Sequence, residues 1–467
     1  MLSKQKVVTL GFQHVLAMYA GAVIVPLIVG GALKLNGTQM AYLIAADLFT
    51  CGIATILQVM GTKYFGSRLP VILGCTFTAV GPIIAIASAS NLATAYGAII
   101  LSGLFVVLAA PLYGKMLRFF PTIVTGSVVT IIGLSLIPVA MNNAAGGQGS
   151  ADFGQLHHLL LALGTLLVIL IVNRLATGFL RSISVLVGLV AGTAAGYAMG
   201  IVHFSSVAEA SWVSIAQPFY FGVPQISITA IFTMIIVNIV SMVESTGVYF
   251  AVGKATEQKV EKKQIVNGLR SEGLAIMLGG IFNAFPYTAF SQNVGLISLT
   301  RVKSRDVIFA AGGIMVILGL LPKLAALTTV IPSAVLGGAM IVMFGSVAAS
   351  GISILSEVDL RKDGNLLIAA CSIAVGLGSA TLPQMFDQLP AFAKMLMQNG
   401  IVSGSLTAIL LNLFLSKQKD ASSAVQRTPN QVILQQDDGR IGHAPESPAY
   451  RNRGPAWPVP AQALPRT

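Results

Sequence analysis

The sequence predicts an all-α polytopic membrane protein of fourteen transmembrane spans, arranged as two inverted repeats of seven. Three observations predict it. Hydrophobic residues make up 55% of the 467 and charged residues only 9%, whereas a soluble domain carries about a quarter charged residues. Mean hydropathy is +0.82, and apolar runs near the length of a helical crossing, about 20 residues, recur along the chain. Basic residues fall on alternate loops between those runs, which is the signature of orientation in a membrane.

The first seven spans are expected at 12–33, 39–60, 69–90, 93–114, 120–140, 157–174 and 182–202. The second seven are expected at 226–252, 271–285, 289–300, 307–322, 328–350, 364–381 and 398–416. The third and tenth are weak, each broken by polar or irregular sequence. With the amino terminus inside, the inner loops and the two ends hold twenty Lys and Arg, among them Lys63, Arg68, Arg118, Lys254, Arg301, Lys303 and Arg305. The outer side holds three, Lys34, Lys323 and Lys394. Dropping one span would reverse every later loop, so the count requires fourteen with both termini cytoplasmic. The net charge of +12 therefore reads as topology rather than as a nucleic-acid surface. The first apolar run is too long for a cleavable signal and would serve as its own insertion signal.

The halves repeat. Pro111, Pro121, Val124 and Gly126 recur as Pro322, Pro332, Val335 and Gly337, and the run Phe77–Val80 recurs as Tyr287–Phe290. Seven spans per half is odd, so the second copy enters from the opposite side. Paired broken spans in inverted repeats point to a secondary transporter with its site at mid-bilayer, at the repeat interface. The expected organisation is 1–202 for spans one to seven, 203–416 for spans eight to fourteen, and 417–467 as a disordered cytoplasmic tail rich in Pro, Gln, Ser and Arg.

Few residues inside the spans can carry chemistry. Glu244 lies midway along the eighth span; a carboxyl at that depth is costly to ionise and marks a functional site by default. It can exchange a proton or accept a ligand N–H; the bland alternative is a structural carboxyl satisfied by a neighbouring helix. Gln292 and Asn293 are adjacent amides in the tenth span, fit for a two-point contact with a heterocycle edge or for ordinary interhelical bonding. Phe77 and Tyr287 are the matched aromatics of the two broken spans, placed either to stack on a planar ligand or simply to pack. Glu272 opens the ninth span beside Arg270, where an interfacial salt bridge competes with a proton-carrying role. His14 in the first span can relay protons or be a hydrogen-bonded structural residue. Asp47 is a third intramembrane acid with no legible role. Cys51, Cys75 and Cys371 read as small buried hydrophobes, and His157 and His158, in an outer loop, offer no convincing metal site. The sequence shows no phosphate loop, nucleophile constellation or cofactor motif, so neither an enzyme nor a cofactor is expected.

The stretch Gln292–Arg305, Q-N-x-G-x-x-x-x-T-R-x-x-S-R, resembles the signature of the nucleobase–ascorbate transporter (nucleobase–cation symporter) family. VESTGVYFA around Glu244, GGIFNAFPYTAFSQNVG and IPSAVLGGAM are similar to its bacterial xanthine and uric acid permeases. The resemblance covers about residues 5–416. It implies a core domain of spans one to four and eight to eleven, a gate domain of the others, short β-strands within spans three and ten, proton-coupled uptake and homodimers. It also implies that Glu244 is the substrate-binding carboxylate and Gln292 the tenth-span ligand residue, Gln in purine and commonly Glu in uracil transporters. Asn293 matches the selectivity position, Glu272 the ninth-span acid (usually Asp) and His14 a first-span His of xanthine-type members. Phe77 and Tyr287 fall where the base is contacted, and Thr76 stands where some relatives carry Asn. The expectation is a proton-coupled plasma-membrane symporter for a purine base, xanthine foremost, with uric acid or uracil as rivals and a passive channel as the reading from another class.

Overall fold

The computed structural model describes residues 3–116, 120–147, 149–202, 204–300, 302–362 and 364–425. Arg118 and Arg301 of the expected inner loops, and residues 426–467 of the expected tail, lie outside them. Long apolar stretches leave the backbone no partner but itself, so the chain is built almost entirely of helices. The first half holds α1 (Lys4–Ala32), α2 (Gly37–Met60), strand β1 (Leu73–Cys75), a 3-10 turn at Phe77–Ala79, α3 (Val80–Ala89) and α4 (Leu92–Met116). It continues with α5 (Thr122–Ser135), α6 (Ile137–Ala144), α7 (Leu156–Leu175), α8 (Gly178–Ser182), α9 (Ser184–Ala198) and α10 (Ser205–Glu209). The second half holds α11 (Ile228–Thr256), α12 (Lys262–Ile281), strand β2 (Tyr287–Ala289), α13 (Gln292–Thr300), α14 (Arg305–Gly319) and α15 (Pro322–Thr329). It ends with α16 (Ser333–Ser356), α17 (Asn365–Thr381), α18 (Ala391–Met397) and α19 (Gly400–Val425). Met1–Lys417 form one compact unit; the other, Gln418–Thr467, is described only to Val425. Those residues are helical up to that point, where the sequence suggested irregular chain from 417 onward.

Among the described residues, seven helices are long and apolar enough to cross a membrane, or eight if α14 and α15, bent by 81° at their junction, count as one. Helix ends differ from hydropathy limits because caps, not polarity, stop a helix. α1 starts at Lys4, where the Ser3 side chain accepts from the Lys6 amide. α12 starts at Lys262 behind a capping box of Glu261 and Gln264, nine residues before the apolar run expected there. It ends at Phe282, and Asn283 turns the chain with φ 59°. The α14–α15 bend sits just before Pro322, whose ring bars Leu321 from the helical region (φ −115°, ψ 76°). Pro111, its counterpart by sequence, stays inside the helix α4.

Helices from the two halves interlock: α4 lies on α12, α2 on α14, and α5 on α16. Glycines set these approaches. A Cβ on Gly103 would lie 2.8 Å from the Gly273 oxygen, and one on Gly52 would lie 2.6 Å from the Gly312 oxygen. The core between them is large apolar side chains, among them Met18, Leu43, Tyr96 and Phe344. The two broken segments meet at its centre, where β1 and β2 pair antiparallel with Gly74 opposite Thr288. The pairing extends by one bond at each end, Thr76 N–H to the Pro286 oxygen and Phe290 N–H to the Ile72 oxygen, both 2.9 Å. Position 74 must be glycine, because a Cβ there would lie 2.5 Å from the Phe290 ring.

Candidate functional site

Two short strands joined back to back leave a helix pointing out of each: the turn at Phe77 leading into α3, and α13 beginning at Gln292. α11 packs across both. Ser241, Glu244 and Ser245, spaced three and four apart, share one face of α11, and each has its hydroxyl or carboxylate engaged there. Thr78 donates its hydroxyl to Glu244 Oε2 at 3.4 Å. Thr76 caps the turn, accepting from the Thr78 amide at 3.2 Å, and its hydroxyl lies 3.5 Å from Ser241 Oγ. Ser245 Oγ lies 2.6 Å from Thr288 Oγ1 and accepts the Ala289 N–H at 3.1 Å. The α11 face is thereby stitched to the Phe77 turn and to β2, while Glu244 keeps part of its surface. Gln292, at the first turn of α13, also keeps part of its surface, and the Ser291 hydroxyl donates to its Oε1 at 3.3 Å.

The other expected residues are buried, and they divide into groups. Asn293 donates its side-chain amide toward His14 Nδ1 at 3.0 Å and to the His14 carbonyl at 3.4 Å, joining α13 to α1. Glu272 stands in mid-helix rather than at the opening of α12, and it accepts the Tyr249 hydroxyl rather than pairing with Arg270. Gln58 donates to that hydroxyl at 2.6 Å, so α2, α11 and α12 meet at one tyrosine. Gly268 makes the room, since a Cβ there would lie 2.8 Å from the Tyr249 oxygen. Phe77 is 6% exposed and meets Phe344 of α16 edge to face at 5.2 Å. Tyr287 is fully buried and donates to Asp47, 3.0 Å to Oδ1 and 3.1 Å to its carbonyl.

Alternation along β2 explains that last placement: Thr288 faces α11, so Tyr287 on the opposite face reaches α2. The structure therefore brings together Glu244, Thr76 and Phe77, with Gln292 on the adjoining helix. It sets Tyr287 on the far side of the strands with Asp47, which gains a role as its anchor. Thr78, Ser241 and Thr288 were missed by sequence reasoning because hydroxyl residues are common in apolar helices. The placing of Glu244 and Ser245 three and four residues after Ser241 was the available signal. Chemically, the site offers one carboxyl and one amide with accessible surface, while the hydroxyls around them are already engaged within the protein.

Comparison with known proteins follows the same line. A model described as a permease family matches residues 5–385. The chain is 57% identical to the uric acid permease PucK of Bacillus subtilis, across 89% of this chain and 97% of that one. It is 56% identical to the xanthine permease of the same organism, across 87% and 93%. In fold it is similar to the transmembrane domain of the cyanobacterial bicarbonate transporter BicA, with TM-score 0.54 at 15% identity, covering 87% of this chain and 96% of that one.

Proposed function

Because this chain belongs to the nucleobase–ascorbate transporter family of permeases, we propose that it imports a purine base, xanthine foremost, by proton-coupled symport across the plasma membrane. Its family and relatives are permeases and not enzymes, and it is a multi-pass membrane protein that carries a purine nucleobase. The observation that carries the finer reading is Glu244: a carboxylate in the middle of α11, partly accessible, hydrogen-bonded to Thr78 and flanked by two broken segments. A purine presents adjacent N–H and C=O groups along its edge. Glu244 accepts from one N–H, Gln292 makes a two-point contact on another edge, and Phe77 closes over the ring. Thr76 and Asn293 stand behind these and tune the fit, Asn293 through His14. Tyr287 acts at one remove, by fixing β2 against Asp47.

Coupling requires that a proton change the relative stability of two states. Glu244 is the first carrier and Glu272 the second, with His14 as a relay through Asn293. Fourteen spans in two inverted repeats, 1–202 and 203–416, are supported by the reciprocal packing of α2 on α14 and α4 on α12 and by the antiparallel β1–β2 pair. In this reading spans one to four and eight to eleven form a core that rocks against a gate of the others, both termini cytoplasmic, in a homodimer.

Uric acid is the second reading, favoured by near-equal identity to permeases of each base. The test is uptake of radiolabelled xanthine in cells lacking their own purine permeases, with and without a protonophore. Unlabelled uric acid, uracil, hypoxanthine and guanine serve as competitors. Saturable uptake that collapses with the protonophore, and is blocked by xanthine but not uracil, is expected. Accumulation of uric acid while xanthine is ignored would replace the substrate and keep the mechanism. Uptake indifferent to the protonophore would favour a passive channel.

A further inference from the structure

A cluster far along the chain from the substrate site carries a second assignment. The loop between α6 and α7 turns through Gly146, Gly147, Gly149 and Gly154, with φ between 78° and 106°, values an L side chain rarely adopts. The Gly154 N–H donates back to the Ala145 carbonyl at 2.8 Å, which closes the loop on itself. This folding returns Asp152 over the first turn of α7, where His157 and His158 stand. Asp152 Oδ2 lies 2.6 Å from His158 Nε2 and 3.7 Å from His157 Nε2, and the two imidazole centroids are 4.0 Å apart. One donor atom from each residue falls within 4.8 Å of the others.

From this convergence we propose that Asp152, His157 and His158 bind a divalent transition-metal ion of the zinc class, independently of any base transported. Two imidazole nitrogens and one carboxylate oxygen are the ligand set such an ion selects over calcium or magnesium. Around a tetrahedral ion the ligand atoms lie about 3.3 Å apart, so Asp152 and His158, at 2.6 Å, open slightly while His157, 3.7 Å from Asp152, closes, each by less than about 1 Å. The site is held ready. His158 is 8% exposed, and its ring cannot swing toward Gly146, where even a Cβ would lie 2.7 Å from Cδ2. Asp152 and His157 keep 43% and 36% of their side-chain surface, so an ion can enter from solvent. Bound there, the ion would tie the loop to α7. Sequence alone showed two neighbouring histidines, which on a helix do not face one another; Asp152 and the glycine turns supply the convergence.

The test uses the purified full-length protein in detergent, with any affinity tag removed and Cys371, exposed elsewhere on the chain, changed to Ser. Zinc is titrated by calorimetry and cobalt by visible absorption, and melting is followed with and without zinc. One zinc per chain is expected, with a rise in melting temperature and a cobalt spectrum of low coordination number. Asp152→Asn and His157→Ala, both at partly exposed positions, should each weaken zinc binding at least tenfold and abolish the zinc-dependent rise, with the metal-free melting temperature unchanged. Absence of a zinc-dependent heat and shift in the parent protein, or binding equal in both variants, would overturn the assignment.

Discussion

Burial separates the polar residues of the centre into those that keep accessible surface and those packed into the frame. Glu244 and Gln292 retain accessible surface, whereas Glu272, Asn293, His14 and Asp47 are 2% exposed or less and already hydrogen-bonded to protein. In the proposed reading Glu244→Gln keeps the shape of the side chain but removes both the charge and the exchangeable proton. Xanthine uptake should fall at least a hundredfold, about 2.7 kcal/mol of lost interaction, with the protein still present at the membrane. Gln292→Glu leaves a carboxylate where an amide donor contacts the base, and an unpaired buried group rejects a ligand strongly. Purine uptake should drop at least tenfold while competition by uracil appears. Unchanged purine affinity in both variants would move the pocket elsewhere.

Helix crossings decide how elements sit, and glycine decides the crossings. At Gly273 the nearest atoms to a Cβ are the Val107 nitrogen at 2.7 Å and the Gly103 oxygen at 2.8 Å, both backbone, which cannot rotate away. Gly52 meets the same constraint at Gly312 and Val316. Small residues let helix backbones approach where lipid provides no hydrophobic drive. Gly273→Leu must therefore separate α12 from α4, and overpacking of this kind costs about 1–3 kcal/mol or more. Its melting temperature in detergent should fall by several degrees. Gly164→Ala on α7, where an added Cβ meets nothing within 4 Å, should leave it unchanged. Equal melting of the two would mean the α4–α12 crossing is loose.

For the whole molecule, the orientation rests on the basic residues of its loops, and the structure supplies the labels to test it. Cys51 and Cys75 are buried and Cys371 is exposed, so a Cys371→Ser background leaves no reactive thiol among the described residues. In intact cells a membrane-impermeant maleimide should label Lys323→Cys and spare Lys254→Cys, with the second labelled only after permeabilisation. Labels on the same side would break the fourteen-span reading, because in it three spans, the ninth to the eleventh, separate these two loops.

Membership in a helical membrane class and the approximate limits of its long helices followed from the sequence alone, which also singled out Glu244 and Gln292. Those features are local: apolar length, cap residues and a carboxyl stranded in hydrocarbon each announce themselves within about twenty residues. The long-range partnerships did not. Only the folded chain shows that Glu272 belongs to Tyr249 and Gln58, that Tyr287 turns from Glu244 to Asp47, and that Asp152 reaches back to His157 and His158. Each depends on strand alternation, a helix begun a few residues earlier, or a glycine turn. Such choices are settled by packing between segments that composition and spacing leave unconnected.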